Sequence, residues 1–265
     1  MRIPSTFGQY VPIDSPVHSL DARTKIGVIA AFTVGLFLVD GFTGLAMFAA
    51  GIALVLLVSG VPPRIALRGV RALGVLLLFT LLAHALRWEP ATVSLVRLGP
   101  VGIDPEGLRT GAFFAIRIVL LMVGTSLLTL TTTPVQLTDA LESLMRPASV
   151  VGVPSGEIAM MLTIALRFIP TTAQEAERVM IAQAARGARF DEGNLITRVR
   201  AYVPVLVPLF VNLFRRAEDL AVAMDSRCYR GGRGRTRLHA AVMTARDWLV
   251  LLCGGSVLVA LGVFL

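Results

Sequence analysis

The sequence predicts an all-α, polytopic membrane protein with about five transmembrane helices and an additional region of amphipathic helices. Of the 265 residues, 55% are hydrophobic and 16% are charged, whereas soluble domains contain roughly 45–50% apolar and about 25% charged residues. Only 7% are aromatic, so the excess is aliphatic. This composition excludes a disordered chain, a disulfide-stabilised secreted module and a nucleic-acid-binding domain with a solvated surface.

Five apolar stretches are long enough, or nearly long enough, to cross a bilayer, which requires about 20 residues per helix. They are Ile26–Val39, Gly44–Ser59, Val70–Leu86, Thr110–Thr131 and Trp248–Leu265. The chain therefore divides into an N-terminal segment (1–25), a membrane region of four helices (26–131), an arginine-rich helical region (132–246) and a C-terminal transmembrane helix (247–265).

The placement of arginine predicts the orientation in the membrane. The net charge is +8 and Lys25 is the only lysine, so nearly all of the positive charge is arginine. Residues 132–247 alone contain fifteen arginines, and further basic residues lie in the N-terminal segment and after the second span. Because basic loops remain in the cytoplasm, we expect the N-terminus and residues 132–246 to be cytoplasmic in a multi-pass protein of the cell membrane.

Small residues recur every four positions on the first predicted span, at Gly27, Ala31 and Gly35. A stripe of this kind allows two helices to approach closely. Two interpretations are open for it. The stripe packs against another helix of the same chain, or it forms a contact face for a partner membrane protein.

Nothing in the sequence indicates catalysis or ion-coupled transport. The apolar spans contain no Asp or Glu, although carriers and membrane enzymes use intramembrane carboxylates, and no Walker-type, zinc-protease or serine-hydrolase motif is present. Cys228 and Cys253 are too few for a disulfide framework or a zinc site. We therefore expect a protein that is not an enzyme and binds no metal. Arg117 lies deep in a span and has no obvious carboxylate partner.

Two amphipathic helices are predicted in the arginine-rich region, and each ends in an arginine. Apolar residues recur at three- and four-residue intervals over Ile169–Ala184 and again over Phe210–Met224. The first helix ends in Ala185-Arg186-Gly187, typical of a C-terminus with a left-handed cap, and the second ends in Ser226-Arg227-Cys228. An arginine at a helix end suits a carboxylate-lined groove on another protein, because its planar fork binds carboxylates bidentately.

Three segments resemble the transmembrane component of energy-coupling factor transporters, the EcfT/CbiQ family. The first is the entry sequence Tyr10–Lys25 before the first span. The second is the Arg-Phe-Ile-Pro helix that ends in Ala-Arg-Gly at residues 185–187. The third is Ala223–Gly232, in which Ser226 and Cys228 replace the Ala and Gly of the family's short signature.

The resemblance implies a non-catalytic subunit that joins two ATP-binding-cassette ATPases to one or more small substrate-binding membrane subunits. Residues 132–246 would be its coupling region. Arg186, between Ala185 and Gly187, would dock in one ATPase, and Arg227, between Ser226 and Cys228, in the other. The partner ATPases would use ATP, and this chain would bind no cofactor itself. The complex would import a vitamin or a related micronutrient, and Gly27, Ala31 and Gly35 would contact the substrate-binding subunit.

Two alternatives are open. One is a dedicated permease subunit of the cobalt or nickel type, although Tyr10–Lys25 looks more like the form that serves several vitamin subunits. The other is a membrane-bound enzyme with acidic metal ligands near a membrane face. The pair considered for it, Asp219 and Asp225, is six residues apart, which does not place both carboxylates on one helical face.

Overall fold

The protein is almost entirely helical in a computed structural model that describes residues 10–87, 96–98, 101–147, 152, 154–190, 192–231 and 242–264. The helices are α1 (Ala22–Leu38), α2 (Phe42–Ser59), α3 (Pro63–Ala66), α4 (Arg68–Ala72), α5 (Gly74–Ala85), α6 (Pro105–Thr131), α7 (Pro134–Met145), α8 (Ser155–Ala185), α9 (Leu195–Ser226), α10 (Ala245–Leu249) and α11 (Gly255–Phe264). A π-helical turn, Val250–Gly254, joins the last two. The predicted all-α, polytopic fold is confirmed.

Three short strands lie between α5 and α6. They are β1 (Leu86–Arg87), β2 (Val96–Leu98) and β3 (Val101–Ile103), and they form an antiparallel sheet in the order β1-β3-β2. Leu86 and Val96 both pair with Ile103. The sheet lies within the loop that the arginine distribution assigns to the external side, and no pattern in the sequence predicted it.

The candidate spans agree with the predicted ones in three places and differ in two. Phe42–Ser59, Pro105–Thr131 and Ala245–Phe264 are long and apolar enough to cross a membrane. The predicted span Val70–Leu86 is instead a bent pair, Pro63–Ala72 and Gly74–Ala85, with a 60° change of direction between them. Counting that pair as one span gives five, the predicted number, but one of the five is α9.

The second difference concerns α1 and α9. Helix α1 has 17 residues and a length of about 26 Å, at the lower limit of the roughly 17–25 residues that cross a bilayer. The Asp21 cap and the extended backbone at Val39 limit it. Residues Ile196–Ser226 of α9 do qualify by length and composition, because the charged residues that made the sequence pattern amphipathic are concentrated in the second half of that helix.

The described residues divide into two compact units. Residues 10–140 and 242–264 form one, called here the bundle, and residues 141–231 form the other, called here the hairpin. In the bundle, the apolar core lies between α1, α2 and α6. Its buried side chains include Phe32, Leu36, Leu45, Phe48, Ile52, Leu120, Val123, Leu127 and Leu130.

Glycine contacts allow the bundle helices to approach to backbone distance. A Cβ atom added to Gly262 of α11 would lie 2.4 Å from the carbonyl oxygen of Gly35 in α1. A Cβ atom added to Gly107 of α6 would lie 2.2 Å from the carbonyl oxygen of His84 in α5. Close backbone approach through small residues is the usual way in which membrane helices associate, because lipid offers no hydrophobic driving force between them.

Buried polar contacts attach the N-terminal segment to the bundle. The Lys25 ammonium donates to the carbonyl oxygens of His18, at 3.2 Å, and Thr131, at 2.8 Å. The Asp21 amide donates to the Asp247 carboxylate at 2.9 Å, and the Val11 amide donates to a carbonyl oxygen at the end of α6. These bonds satisfy backbone groups that helix ends leave unpaired.

The buried Arg117 has no carboxylate partner among the described residues, and its Nε atom makes no hydrogen bond there. Its guanidinium donates to the carbonyl oxygen of Val39, the C-cap of α1. Its Cζ atom lies 4.6 Å from the centre of the Phe113 ring, with Phe37 and Phe114 slightly farther away. A buried guanidinium is therefore stabilised by a helix-end carbonyl and by aromatic faces.

Candidate coupling site

Arg186 occupies the C-cap of α8. The chain turns at Gly187, which has a φ of +90°. The Ala188 amide donates to the carbonyl oxygen of Gln183 at 3.0 Å, and the Gly187 amide donates to that of Ala184 at 3.0 Å. These two bonds define a Schellman motif, in which a residue of left-handed conformation satisfies the last carbonyls of a helix. The left-handed cap predicted at Gly187 is confirmed.

Arg227 occupies the same position on α9. The Tyr229 amide donates to the carbonyl oxygen of Met224 at 3.1 Å, and the Cys228 amide donates to that of Asp225 at 2.9 Å. Cys228 has a φ of +56° and is the sole non-glycine residue with a positive φ in the described part of the chain. The Ser-Arg-Cys triplet therefore folds into the same cap as Ala-Arg-Gly, although it lacks the glycine.

The residues that flank the two arginines shape the caps and leave the guanidinium groups free. Ala185 and Ser226 are the last residues of their helices, and the Ser226 hydroxyl donates to the carbonyl oxygen of Ala223 at 2.9 Å. Arg186 and Arg227 are exposed. Neither forms an ion pair with any residue that the structure describes. Each helix end therefore presents a solvated guanidinium.

Helices α8 and α9 form an antiparallel hairpin, so the two arginines lie at its opposite ends. The Gln183 side-chain Nε2 donates to the carbonyl oxygen of Pro204 at 3.4 Å, and the ring of Phe190 lies 5.0 Å from that of Tyr202. Arg216 contacts Glu175 farther along the hairpin. With a rise of 1.5 Å per residue, this register separates the two helix ends by about 35 Å.

The stripe of small residues on α1 contacts the C-terminal helices of the same chain. A Cβ atom added to Gly27 would lie 2.4 Å from Leu251. One added to Gly35 would lie 2.5 Å from the Leu258 carbonyl oxygen, and one added to Gly255 would lie 3.7 Å from Ala31. Intramolecular packing, one of the two interpretations of this stripe, therefore accounts for its spacing. Contact of Gly27, Ala31 and Gly35 with a substrate-binding subunit stays a prediction.

The described residues contain no cluster of three or more His, Cys, Asp or Glu side chains that could hold a metal ion. Asp219 and Asp225 both lie on α9, without a third acidic, histidine or cysteine partner in that set. An arrangement for metal-dependent chemistry, as the enzyme alternative requires, is thus not found in the described part of the chain.

Sequence reasoning missed one feature of the hairpin, the pair formed by Glu175 of α8 and Arg216 of α9. Both residues lie on the polar faces of their helices, which is the one signal available in the sequence. Charge alone does not select one partner from the several acidic and basic residues on these faces, because the register between two helices depends on tertiary packing.

Comparisons with known proteins agree over nearly the whole chain. The family of cobalt transport proteins, CbiQ, matches residues 14–238. A protein of Thermosediminibacter oceani is 49% identical over 94% of each chain, and one of Heliobacterium modesticaldum is 47% identical over 96% of this chain and 95% of its own. A protein of Clostridium kluyveri is 46% identical over 94% of this chain and 92% of its own. All three are named energy-coupling factor transporter transmembrane protein EcfT.

Proposed function

The chain belongs to the EcfT/CbiQ family of transmembrane transporter components, and we propose that it is the coupling subunit of an importer powered by two separate ATPases. Its relatives are named as transporter components and not as enzymes. The chain is accordingly a membrane-embedded, non-enzymatic protein. The coupling role, its partners and its substrate class constitute the proposal.

The observation that carries the proposal is the matched pair of arginine caps. Arg186 and Arg227 occupy the same Schellman position on two long helices, are exposed and point to no carboxylate of the described chain. A guanidinium held at a rigid helix end suits bidentate recognition of a carboxylate on another protein. Because the ends are about 35 Å apart along the hairpin, one small domain does not reach both, and two separate ATPase subunits do.

Energy transfer follows from this arrangement. When ATP drives the two ATPases together, each pulls on one end of the hairpin. The hairpin passes the displacement to the membrane helices and to a small substrate-binding membrane subunit, which then releases its substrate. ATP is bound by the partners, and this chain requires no cofactor of its own.

The proposed topology places the N-terminus and residues 132–246 in the cytoplasm, where the ATPases are, in a multi-pass protein of the cell membrane. The fifteen arginines of residues 132–247 support this orientation, because basic segments remain on the cytoplasmic side. Length and composition also qualify α9 as a span. We assign α9 to the coupling region because its second half contains Arg215, Arg216, Glu218 and Asp219, and charges are costly inside a bilayer.

We propose that the imported substrate is a vitamin or a related micronutrient and that several substrate-binding subunits share this chain. The relatives at 46–49% identity carry the energy-coupling factor name, which supports the shared form. The family description refers to cobalt transport, which keeps a dedicated cobalt or nickel importer as the second candidate. The number of different small membrane proteins that co-purify with the tagged chain separates the two: several indicate the shared form, and a single fixed one indicates the dedicated form.

Charge reversal at the helix ends tests the coupling role. Arg186→Glu and Arg227→Glu should each leave the chain in the membrane but lower recovery of the ATPases by about 10-fold or more, because each replaces an attraction to a carboxylate by a repulsion. The measurement is affinity purification in mild detergent followed by quantitative mass spectrometry. Recovery of both ATPases at the unmodified level with either variant would contradict the docking assignment for that arginine.

Arg215→Glu is the matched control. Arg215 is also an exposed arginine of α9, but it lies three turns before the cap. Its reversal should leave ATPase recovery within about twofold of the unmodified chain. If the control variant loses the ATPases as well, the general charge of the hairpin, and not the caps, determines the association.

A further inference from the structure

We propose that Arg216 and Glu175 form a brace that makes the two arms of the hairpin move as one body. This inference rests on the proposed coupling function, because it assigns a positioning role within the element that transmits the displacement. Neither residue lies at a helix end, and neither belongs to the Ala-Arg-Gly or Ser-Arg-Cys triplet.

One guanidinium contacts three residues on a single face of α8. The Arg216 Nη2 atom is paired with Glu175 Oε1. Its Nη1 atom donates to the Thr171 hydroxyl at 3.2 Å, and its Cζ atom lies 5.7 Å from the centre of the Phe168 ring. Residues 168, 171 and 175 are spaced by three and four positions and so lie on the same face of a helix. Arg216 thereby holds two turns of α8 against α9.

The ion pair is partly shielded from solvent, and the Glu175 carboxylate depends on Arg216 as its charge partner. The side chains of Arg216 and Glu175 are 32% and 26% exposed, whereas the side chains of another hairpin ion pair, Arg189 and Glu192, are 75% and 66% exposed. The second carboxylate oxygen of Glu175 is buried and makes no hydrogen bond within the described structure. Loss of Arg216 would leave a partly buried charge without its partner, which costs far more than loss of a solvated pair.

The position of the brace coincides with a weak point in α8. Pro170 lies inside that helix, between Phe168 and Thr171. A proline inside a helix removes one backbone hydrogen bond and favours a bend. Because Arg216 contacts residues on both sides of Pro170, it opposes bending at the site where α8 bends most easily. With the brace intact, a displacement of Arg186 also moves α9. Without the brace, α8 bends at Pro170 and the displacement does not move α9.

The test measures the distance between the two arms by electron paramagnetic resonance. Spin labels are placed at Ile181 and Val222, which are 64% and 69% exposed and lie five residues before the respective arginines. The exposed native cysteines are removed as Cys228→Gly and Cys253→Ser. The register places the labels about 20 Å apart along the hairpin axis. The chain is measured in lipid nanodiscs, alone and in complex with its co-purified ATPases.

Glu175→Gln and Arg216→Met should each broaden the distance distribution about twofold, because the hinge at Pro170 is released. The charge swap that combines Glu175→Arg with Arg216→Glu should restore a narrow distribution. The control pair Arg189→Gln and Glu192→Gln should leave the width unchanged. An unchanged width in both broken variants, or a swap that remains as broad as they are, would overturn the brace.

A second readout separates coupling from folding. In the complex, Glu175→Gln should retain both ATPases and hydrolyse ATP within about twofold of the unmodified rate, because the caps are intact. It should lose most of the change in label distance that ATP with vanadate produces in the unmodified complex. Loss of the ATPases together with that change would mean a merely structural role. If the unmodified chain itself recovers no ATPase, the proposed function fails, while the distance width of the chain alone still decides the brace.

Discussion

The bundle and the hairpin are stabilised in different ways. In the bundle, helices meet at backbone distance through Gly35 and Gly262, and an apolar core fills the space between α1, α2 and α6. In the described part of the hairpin, Ala159 and Val205 are the buried hydrophobic residues, and Arg216 forms the main polar contact between its arms. A tightly packed region resists deformation, whereas a hairpin with few buried contacts adjusts to its partners.

The surface of the hairpin also indicates that it functions in contact with other molecules. Large apolar side chains of α9 are exposed along most of its length, among them Ile196, Val199, Val207, Phe210, Phe214 and Val222. Apolar surface of this extent is typical of contact with protein or lipid. The bundle also exposes large apolar side chains, among them Leu57, Val75 and Phe264, so the two regions differ in their interiors: the bundle has an apolar core and the described hairpin has little.

Among the substitutions that test this contrast, Gly262→Leu is expected to have the largest effect on stability. The new side chain would meet the backbone of Gly35, which cannot rotate away as a side chain can. Overpacking of this kind costs about 3 kcal/mol, so the bundle should lose a large part of its stability. Thermal unfolding of the purified chain in detergent measures the change.

Gly51→Leu is the control for that variant. Gly51 lies in α2, and a Cβ atom added there meets nothing within 4 Å. Its melting temperature should therefore stay near that of the unmodified chain, or rise slightly because leucine favours helix more than glycine does. Equal losses in both variants would mean that any leucine in these helices is harmful and that close contact at Gly262 is not the reason.

Much of the fold could be predicted from the sequence, because it depends on local composition. The apolar runs that contain α2, α6 and α11 are long and carry no charged residue except Arg117, so their spans were evident. The bend between α4 and α5 and the short length of α1 depend on how the chain packs and caps its ends, which composition does not specify. The three strands between α5 and α6 are too short to give a pattern.

The candidate site was predictable only in part for the same reason. The Ala-Arg-Gly cap at residues 185–187 follows from local rules, since glycine adopts a positive φ easily. The equivalent conformation of Cys228 could not be expected from a cysteine. The pairing of Arg216 with Glu175, and the contact of Arg117 with the Val39 carbonyl oxygen, join residues distant in sequence and require the three-dimensional register.

A smaller, local effect of pH is expected where the N-terminal segment meets the bundle. Burial, and secondarily the positive charge of Lys25, holds the pKa of His18 below its ordinary value of 6.5. The Nε2–H group of His18 donates to the Val11 carbonyl oxygen at 3.1 Å, and the Ser15 hydroxyl contacts Nδ1 at 2.6 Å. Because Nδ1 accepts a proton only by losing the hydrogen bond from Ser15, protonation of His18 favours a state in which the N-terminal segment has separated from the bundle.

The sign of this effect follows from the lowered pKa. The contribution of neutral His18 is fully present above pH 6.5 and is lost as the pH falls below that value toward the lower pKa of the folded state. Hydrogen exchange of the Val11 amide, corrected for its intrinsic pH dependence, should therefore accelerate as the solution is acidified. The variant His18→Gln should abolish that acceleration, and a pH response that survives in it would assign the effect to another group.

The smallest effects are expected at the two caps, where the hairpin contains one glycine and one cysteine in equivalent positions. Gly187 has a φ of +90°, beyond the region in which other residues are tolerated, whereas Cys228 at +56° lies inside it. Gly187→Cys should therefore destabilise its cap by about 1–2 kcal/mol. Cys228→Gly should gain less than about 1 kcal/mol, because relief of strain is offset by greater freedom of the unfolded chain.

These two substitutions test the contrast between the bundle and the hairpin, because a change of about 1–2 kcal/mol is small beside the packing of the bundle but large for a single helix end. Hydrogen exchange of the Ala188 and Tyr229 amides, which close the two Schellman motifs, reports each cap separately. Gly187→Cys should speed exchange at Ala188 by roughly 10-fold and leave Tyr229 unchanged, and Cys228→Gly should slow exchange at Tyr229 slightly. If both variants behave alike, the two caps are equivalent in energy as well as in geometry, and the glycine of the first signature is not required for its conformation.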